Sequence, residues 1–211
     1  MILKAVPTGS MIWGEPMTPA LKTLILMHPQ EKKEPLATAP LIASVLPEAR
    51  VRTGLSWPNL SVAWSGSKKP LDASLENARW GVFYLGSKTE WSSLAAAPGI
   101  EITSGKLVIL EKKKVSSMPR EAARALEGIV LLDGSWAEVK KLWWRNAWLL
   151  KLKRLVWVGK VPSLYGSKRR EPRNECVSTL EALAYAIAAL QADDPSAARL
   201  LDAFRLMLRD R

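Results

Sequence analysis

Ile129-Val130-Leu131-Leu132-Asp133-Gly134-Ser135-Trp136 reads as a buried strand that runs into a tight turn and then a helix. The unbroken apolar run is short enough for a strand, and Asp133-Gly134 is a turn signal. The helix is predicted over Ser135–Leu150, with Trp136, Val139, Trp143 and Ala147 on one stripe. Glu138, Lys140, Lys141 and Arg145 fall mostly outside that stripe. Before the strand, Pro119–Glu127 reads as a helix, with Pro119 near its start and Gly128 just past its end. After it, Leu155–Val158 reads as a strand stopped by Gly159.

The same alternation extends both ways. Lys22–Met27 is a short apolar strand closed by His28-Pro29, and Thr38–Val45 is a short helix stopped by Pro47. Arg50–Trp57, Trp80–Leu85 and Lys106–Leu110 are further strand candidates. Ser178–Gln191 is an apolar-rich helix. Asp194-Pro195 restarts the chain in an amphipathic helix that ends near Leu208. Strands alternating with helices predict an α/β fold with a mainly parallel sheet and flanking helices. The expected organisation is one domain over 1–211, with an N-terminal half (1–115) and a C-terminal half (116–211). Gly159–Asn174 is a long polar, basic loop, a kind of segment that often carries function.

The 211 residues are 48% hydrophobic, enough for a core. With 31 Lys and Arg against 20 Asp and Glu the net charge is +11, which fits an anionic partner such as nucleic acid. One cysteine, Cys176, and one histidine, His28, exclude an intramolecular disulfide, four-Cys zinc sites and His-rich metal sites. Ten tryptophans suit core filling or base stacking. No segment reaches the roughly 18 apolar residues of a membrane span. The first thirty residues lack a signal-peptide pattern, so a cytoplasmic protein without a membrane partner is expected. A monomer is favoured over an oligomer.

Several residues carry two readings at once. Asp133 ends a strand, where open α/β sheets bind ligands, but it could equally cap the helix that follows. Ser178-Thr179-Leu180-Glu181 fits a capping box, and a helix start also offers N–H groups to a carboxylate or phosphate. His28 could be an acid/base group or a hydrogen-bonded loop histidine. Lys112-Lys113-Lys114 and Lys168-Arg169-Arg170 are basic clusters, and with Lys140, Lys141, Lys151, Lys153 and Arg154 they suggest a phosphate-tracking surface. No glycine-rich phosphate loop is present.

Three blocks occur in a telling order. The first is His28-Pro29-Gln30-Glu31 with Ala37-Thr38-Ala39-Pro40-Leu41. The second is Asp133-Gly134-Ser135-Trp136 with Ala137 and Lys140-Lys141. The third is Ser163-x-Tyr165 and Arg169-x-x-Pro172, followed by Ser178-Thr179-Leu180-Glu181-Ala182. Together they resemble the DTW-domain family, a branch related to the knotted SPOUT RNA methyltransferases. Ser135 stands where Thr is usual, and Ala37 where Asn is common. Tyr165 and Arg169 are one residue further apart than in the family, so either Lys168 or Arg169 is the loop's cation. Many bacterial relatives carry a Cys-rich, zinc-binding N-terminal segment. The single Cys176 leaves no such element here, and no metal is expected.

The resemblance implies transfer of the 3-amino-3-carboxypropyl group of S-adenosylmethionine to N3 of a uridine in tRNA. It also implies a SPOUT-like C-terminal trefoil knot that holds the cofactor. On that reading Asp133 is the candidate general base, with His28 the alternative. Thr38, Leu132, Ser135, Trp136, Ser178, Thr179 and Glu181 would form the cofactor site. Backbone N–H groups at Thr38 and Thr179 would hold the carboxylate, Leu132 the ribose, and Trp136 would pack on the cofactor. Lys140, Lys141, Lys168, Arg169 and Arg170 would steer RNA. Three rivals remain: an RNA methyltransferase, an rRNA aminocarboxypropyltransferase, and a non-catalytic RNA-binding module.

Overall fold

The computed structural model describes residues 21–67, 77–97, 105–169, 173 and 175–210. Seven strands form one sheet: β1 (Lys22–Met27), β2 (Arg50–Thr53), β3 (Trp80–Phe83), β4 (Lys106–Glu111), β5 (Lys114–Val115), β6 (Gly128–Asp133) and β7 (Lys153–Val158). Their spatial order is β2-β1-β6-β3-β7-β4-β5. The five strands from β2 to β7 are parallel, while β4 and β5 add an antiparallel edge. The α/β, mainly parallel expectation holds. β6 comes from the second half of the sequence and sits between β1 and β3 of the first, so the two halves share one sheet.

Both faces of the sheet are covered, which explains why β1 and β6 are continuously apolar rather than alternating. Ile25, Met27, Ile129 and Leu131 pack toward α1 (Ala39–Val45), α6 (Thr179–Leu190) and α7 (Ser196–Arg209). Leu24, Leu26, Val130 and Leu132 face the other way, toward α2 (Leu60–Ser65) and α5 (Trp136–Arg145). Period-two alternation thus sends the Asp133 side chain to the α6 face.

Local chemistry moved several boundaries. The predicted strand to Trp57 stops at Thr53, and Trp57 instead donates its backbone N–H to Asn146 Oδ1 (2.8 Å). The predicted helix to Leu150 breaks at Asn146. There the side-chain amide, rather than the backbone, bonds the Leu142 carbonyl (2.8 Å) and also reaches Leu55 O (3.1 Å). A separate 3-10 turn, Ala147–Lys151, follows. The helix predicted to Glu127, α4 (Pro119–Arg124), ends early because Glu127 joins the sheet ladder. It donates to Arg79 O and accepts from Lys22 N–H. Two helices were not anticipated, α2 and α3 (Lys88–Ala95), although Ser87-Lys88-Thr89-Glu90 is itself a capping box.

Gly128 is not a helix stop but the first residue of β6, paired with Trp80. A Cβ there would lie 2.7 Å from the fully buried Trp80 ring. Gly128→Ala should therefore cost about 1–3 kcal/mol by overpacking. Chemical denaturation measures this, and a wild-type midpoint would refute the tight fit.

Candidate active site

A cavity of about 570 Å³ opens at the carboxyl ends of the parallel strands. This is the edge where open α/β sheets hold ligands, and the volume is that of a small-molecule site (about 300–1,000 Å³). Its walls come from the β1–α1 connection, the residues after β3, the β6–α5 turn and the segment before α6.

Asp133 sits at the cavity floor, 2% exposed. Burial pushes its carboxyl up to about 6. The Thr179 hydroxyl and the nearby Arg169 work in the opposite direction, while Glu31 and Glu138 add to the rise. Its Oδ2 is buried with no partner among the described residues. A buried acceptor left unsatisfied is costly, so this oxygen is suited to a ligand cation or an N–H. Asp133 does not cap α5. Ser135 does, in a capping box with Glu138, whose Oε2 accepts the Ser135 N–H at 2.7 Å. Gly134 between them has φ 152°, and a Cβ would meet Glu138 Cβ at 3.0 Å, so glycine is required there.

Glu31 and Arg169 form a bidentate pair beside Asp133, at 2.7 and 3.2 Å. Burial disfavours the Arg169 charge, but the Glu31 carboxylate outweighs it and raises the pKa of the guanidinium above its ordinary value. The Arg169 guanidinium also lies 5.5 Å from the Tyr165 ring centroid, and Tyr165 Oη donates to Leu36 O (2.8 Å). Arg169, its side chain 22% exposed, is thus held as a wall of the cavity.

Glu181 is fully buried and does not line the cavity. Its carboxylate accepts from Ser163 Oγ (2.7 Å), Leu164 N–H (2.8 Å) and Ser178 N–H (2.9 Å). It ties the 159–169 loop to the start of α6, so it shapes the site from behind. The cap uses the N–H groups of Ser178 and Glu181. Those of Thr179 and Leu180 have no partner within the helix by helix geometry.

Thr38, Leu132, Ser135, Trp136, Ser178 and Thr179 all line the cavity. His28 does not. Its Nδ1 accepts the Gln30 N–H (3.3 Å) and lies 3.4 Å from Glu138 Oε1, although its backbone N–H bonds Asp133 O (2.9 Å). Trp136 is half-buried, and its ring stacks at 3° to Tyr84, which in turn lies 4.1 Å from Trp143. Lys140 Nζ (5.8 Å) and the Arg173 guanidinium (5.5 Å) flank the Trp136 ring. Lys140, Lys141 and Lys168 are exposed, and Arg170 lies outside the described residues.

The Lys112-Lys113 pair does not converge here. β4 runs antiparallel to β7, so the Lys112-Lys113 turn stands at the opposite end of the sheet. Both lysines have positive φ, as a two-residue hairpin requires. Lys153 and Arg154 pair with Glu111 (3.0 Å) and Glu90 (3.1 Å). Sequence reasoning assigned no role to Glu31, although the His28-Pro29-x-Glu31 block contained it, nor to Tyr84 and Arg173. For Tyr84 the available signal was its place just past a strand end.

The family model described as DTW domain matches residues 10–211. The chain is 25% identical over 167 residues to tRNA-uridine aminocarboxypropyltransferase 2 of Macaca fascicularis, covering 79% of this chain and 47% of that protein. The Mus musculus protein of the same name is 27% identical over the same shares. The chain thus spans about half the length of the curated relatives it matches. No solved structure matches.

Proposed function

Because the chain belongs to the DTW domain family, we propose that it modifies tRNA by moving the 3-amino-3-carboxypropyl group of S-adenosylmethionine onto N3 of a uridine. The observation that carries this reading is Asp133, a buried carboxyl that lines a ligand-sized cavity with one oxygen unpartnered among the described residues.

The residues present fit the cofactor. Phe83, Leu85, Leu131, Leu132 and Val177 offer apolar walls for a purine. The first-turn N–H groups at Thr179 and Leu180 suit the cofactor's carboxylate. When bound, the cofactor would supply a carbon activated by a neighbouring sulfonium, with the thioether sulfur as the leaving group that takes the bonding pair.

The protein's part is positioning and proton removal. Asp133, ionised above about pH 6, takes the N3 proton of the uridine. A carboxyl raised toward neutrality is a better base than an ordinary aspartate, and burial supplies that rise. Thr179 orients one carboxylate oxygen and leaves Oδ2 for the substrate. The walls from β6 and α6 select which activated carbon meets the uridine N3, an orientation effect. Lys140, exposed beside Trp136 at the cavity, meets the RNA backbone. The reading includes a trefoil knot in the C-terminal half and a cytoplasmic setting. Among the described residues, no helix is long and apolar enough to cross a membrane.

The test is transfer to bulk tRNA from cofactor labelled separately in its methyl and aminocarboxypropyl groups, with nucleosides identified after digestion. Label is expected only from the aminocarboxypropyl group. Label only from the methyl group would make the protein an RNA methyltransferase. No cofactor binding at millimolar concentration by calorimetry would leave a non-catalytic module.

A further inference from the structure

We propose that Trp144, with Lys140 and Lys141, forms a base-stacking surface outside the cavity. It would hold an unpaired nucleotide of the RNA near the one being modified. This rests on the reading of tRNA as substrate.

α5 carries two adjacent tryptophans with opposite fates. Trp143 is 9% exposed and stacks on Tyr84, whereas Trp144 is 75% exposed. A single exposed apolar residue is ordinary. The setting of Trp144 is what distinguishes it. Ala137, Lys140, Lys141 and Trp144 stand at i, i+3, i+4 and i+7 and so share one stripe of the helix. All four are exposed.

The stripe begins at the cavity, since Ala137 lines it. Lys140 bridges outward, its ammonium 5.8 Å from the Trp136 ring centroid. Trp144 then lies about 10 Å further along the helix than Ala137. Arg145 extends the positive charge. The helix's one acidic residue, Glu138, is off the stripe, capping Ser135 and facing His28.

Exposed Lys140 and Lys141 one turn before an exposed indole, with Arg145 next to it in sequence, match a nucleic-acid strand. The phosphates meet the lysines, and any base can stack on the ring. The uridine would meet the cofactor at Asp133 in the cavity, while the stripe takes a neighbouring nucleotide and fixes the approach of the strand. Trp144 is 75% exposed, so its removal is expected to leave the fold intact.

The experiment measures binding of purified bulk tRNA at fixed salt to wild type and to Trp144→Ala, Trp144→Leu and Trp144→Phe. S-adenosylmethionine affinity and melting temperature are measured alongside. Trp144→Ala and Trp144→Leu should weaken RNA binding about fivefold to a hundredfold. Trp144→Phe should retain most of the affinity, because it keeps a π face. Cofactor affinity and melting temperature should match wild type in all three. Lys141→Ala should weaken binding and flatten the salt dependence.

Wild-type RNA affinity in Trp144→Ala overturns the surface, as does equal binding by the Leu and Phe variants. A wild-type dimer that Trp144→Ala splits would assign the face to a second copy instead. If no label reaches RNA yet Trp144→Ala still weakens tRNA binding, the surface stands and the reaction falls. If transfer proceeds but all variants bind alike, the surface alone falls. Wild-type protein that binds no tRNA overturns both.

Discussion

Asp133→Asn is expected to lower transfer to tRNA by about 10²–10⁴-fold, the usual worth of a positioned general base. The amide keeps the side chain's size and can still accept from the Thr179 hydroxyl, so cofactor affinity should change little. In wild type, transfer should fall as pH drops through about 6, because Asp133 gains the proton that disables it. The residual activity of the Asn variant should lack that limb. Full activity in Asp133→Asn would remove Asp133 from proton transfer.

The same residue makes a stability prediction of opposite sign. The carboxyl's pKa is higher folded (about 6) than its reference value of 3.8. The folded state therefore binds more protons, and this contribution to stability is complete below 3.8 and lost as pH rises through 6. That gap corresponds to roughly 3 kcal/mol. Above pH 7 the Asn variant should accordingly be more stable than wild type, while at pH 3.5 the two should be close. The site would hold a destabilising charge because the reaction uses it.

The second large effect concerns Glu31 and Arg169. Arg169→Ala would leave the Glu31 carboxylate, with its side chain 4% exposed, buried and unpaired. Breaking such a pair costs about 3–5 kcal/mol. Glu31→Gln combined with Arg169→Met should recover much of the loss, because both charges then go together. The pair also tunes Asp133. Glu31 pushes its pKa up and Arg169 pulls it down. The acidic limb of transfer should move to lower pH in Glu31→Gln and to higher pH in Arg169→Ala. If Arg169→Ala fails to fold, the Glu31→Gln profile still decides. Unmoved limbs would mean that the pair only braces the wall.

The Asp133 turn was readable because strand, turn and helix signals lie within eight consecutive residues. The capping box at Ser178 was equally local, and it formed. Where boundaries moved, a distant group had intervened. Asn146 ends α5 by reaching Leu55, and Glu127 leaves its helix for Arg79 and Lys22. The same distinction separates Gly128 as a stop signal from Gly128 as room for the Trp80 ring.

By itself, the sequence determined the α/β alternation, the family blocks and the placing of Asp133 at a strand end. These are short-range facts, set by periodicity and by the conformational limits of Asp, Gly and Ser. Only the tertiary structure decided that Glu181 braces the loop, that Arg169 belongs to Glu31, and that Lys112-Lys113 stands at the far end of the sheet. Each depends on residues far apart in the chain, or on strand order and direction. Charge shows in a sequence, but the partner that neutralises it and the face that presents it are products of the fold.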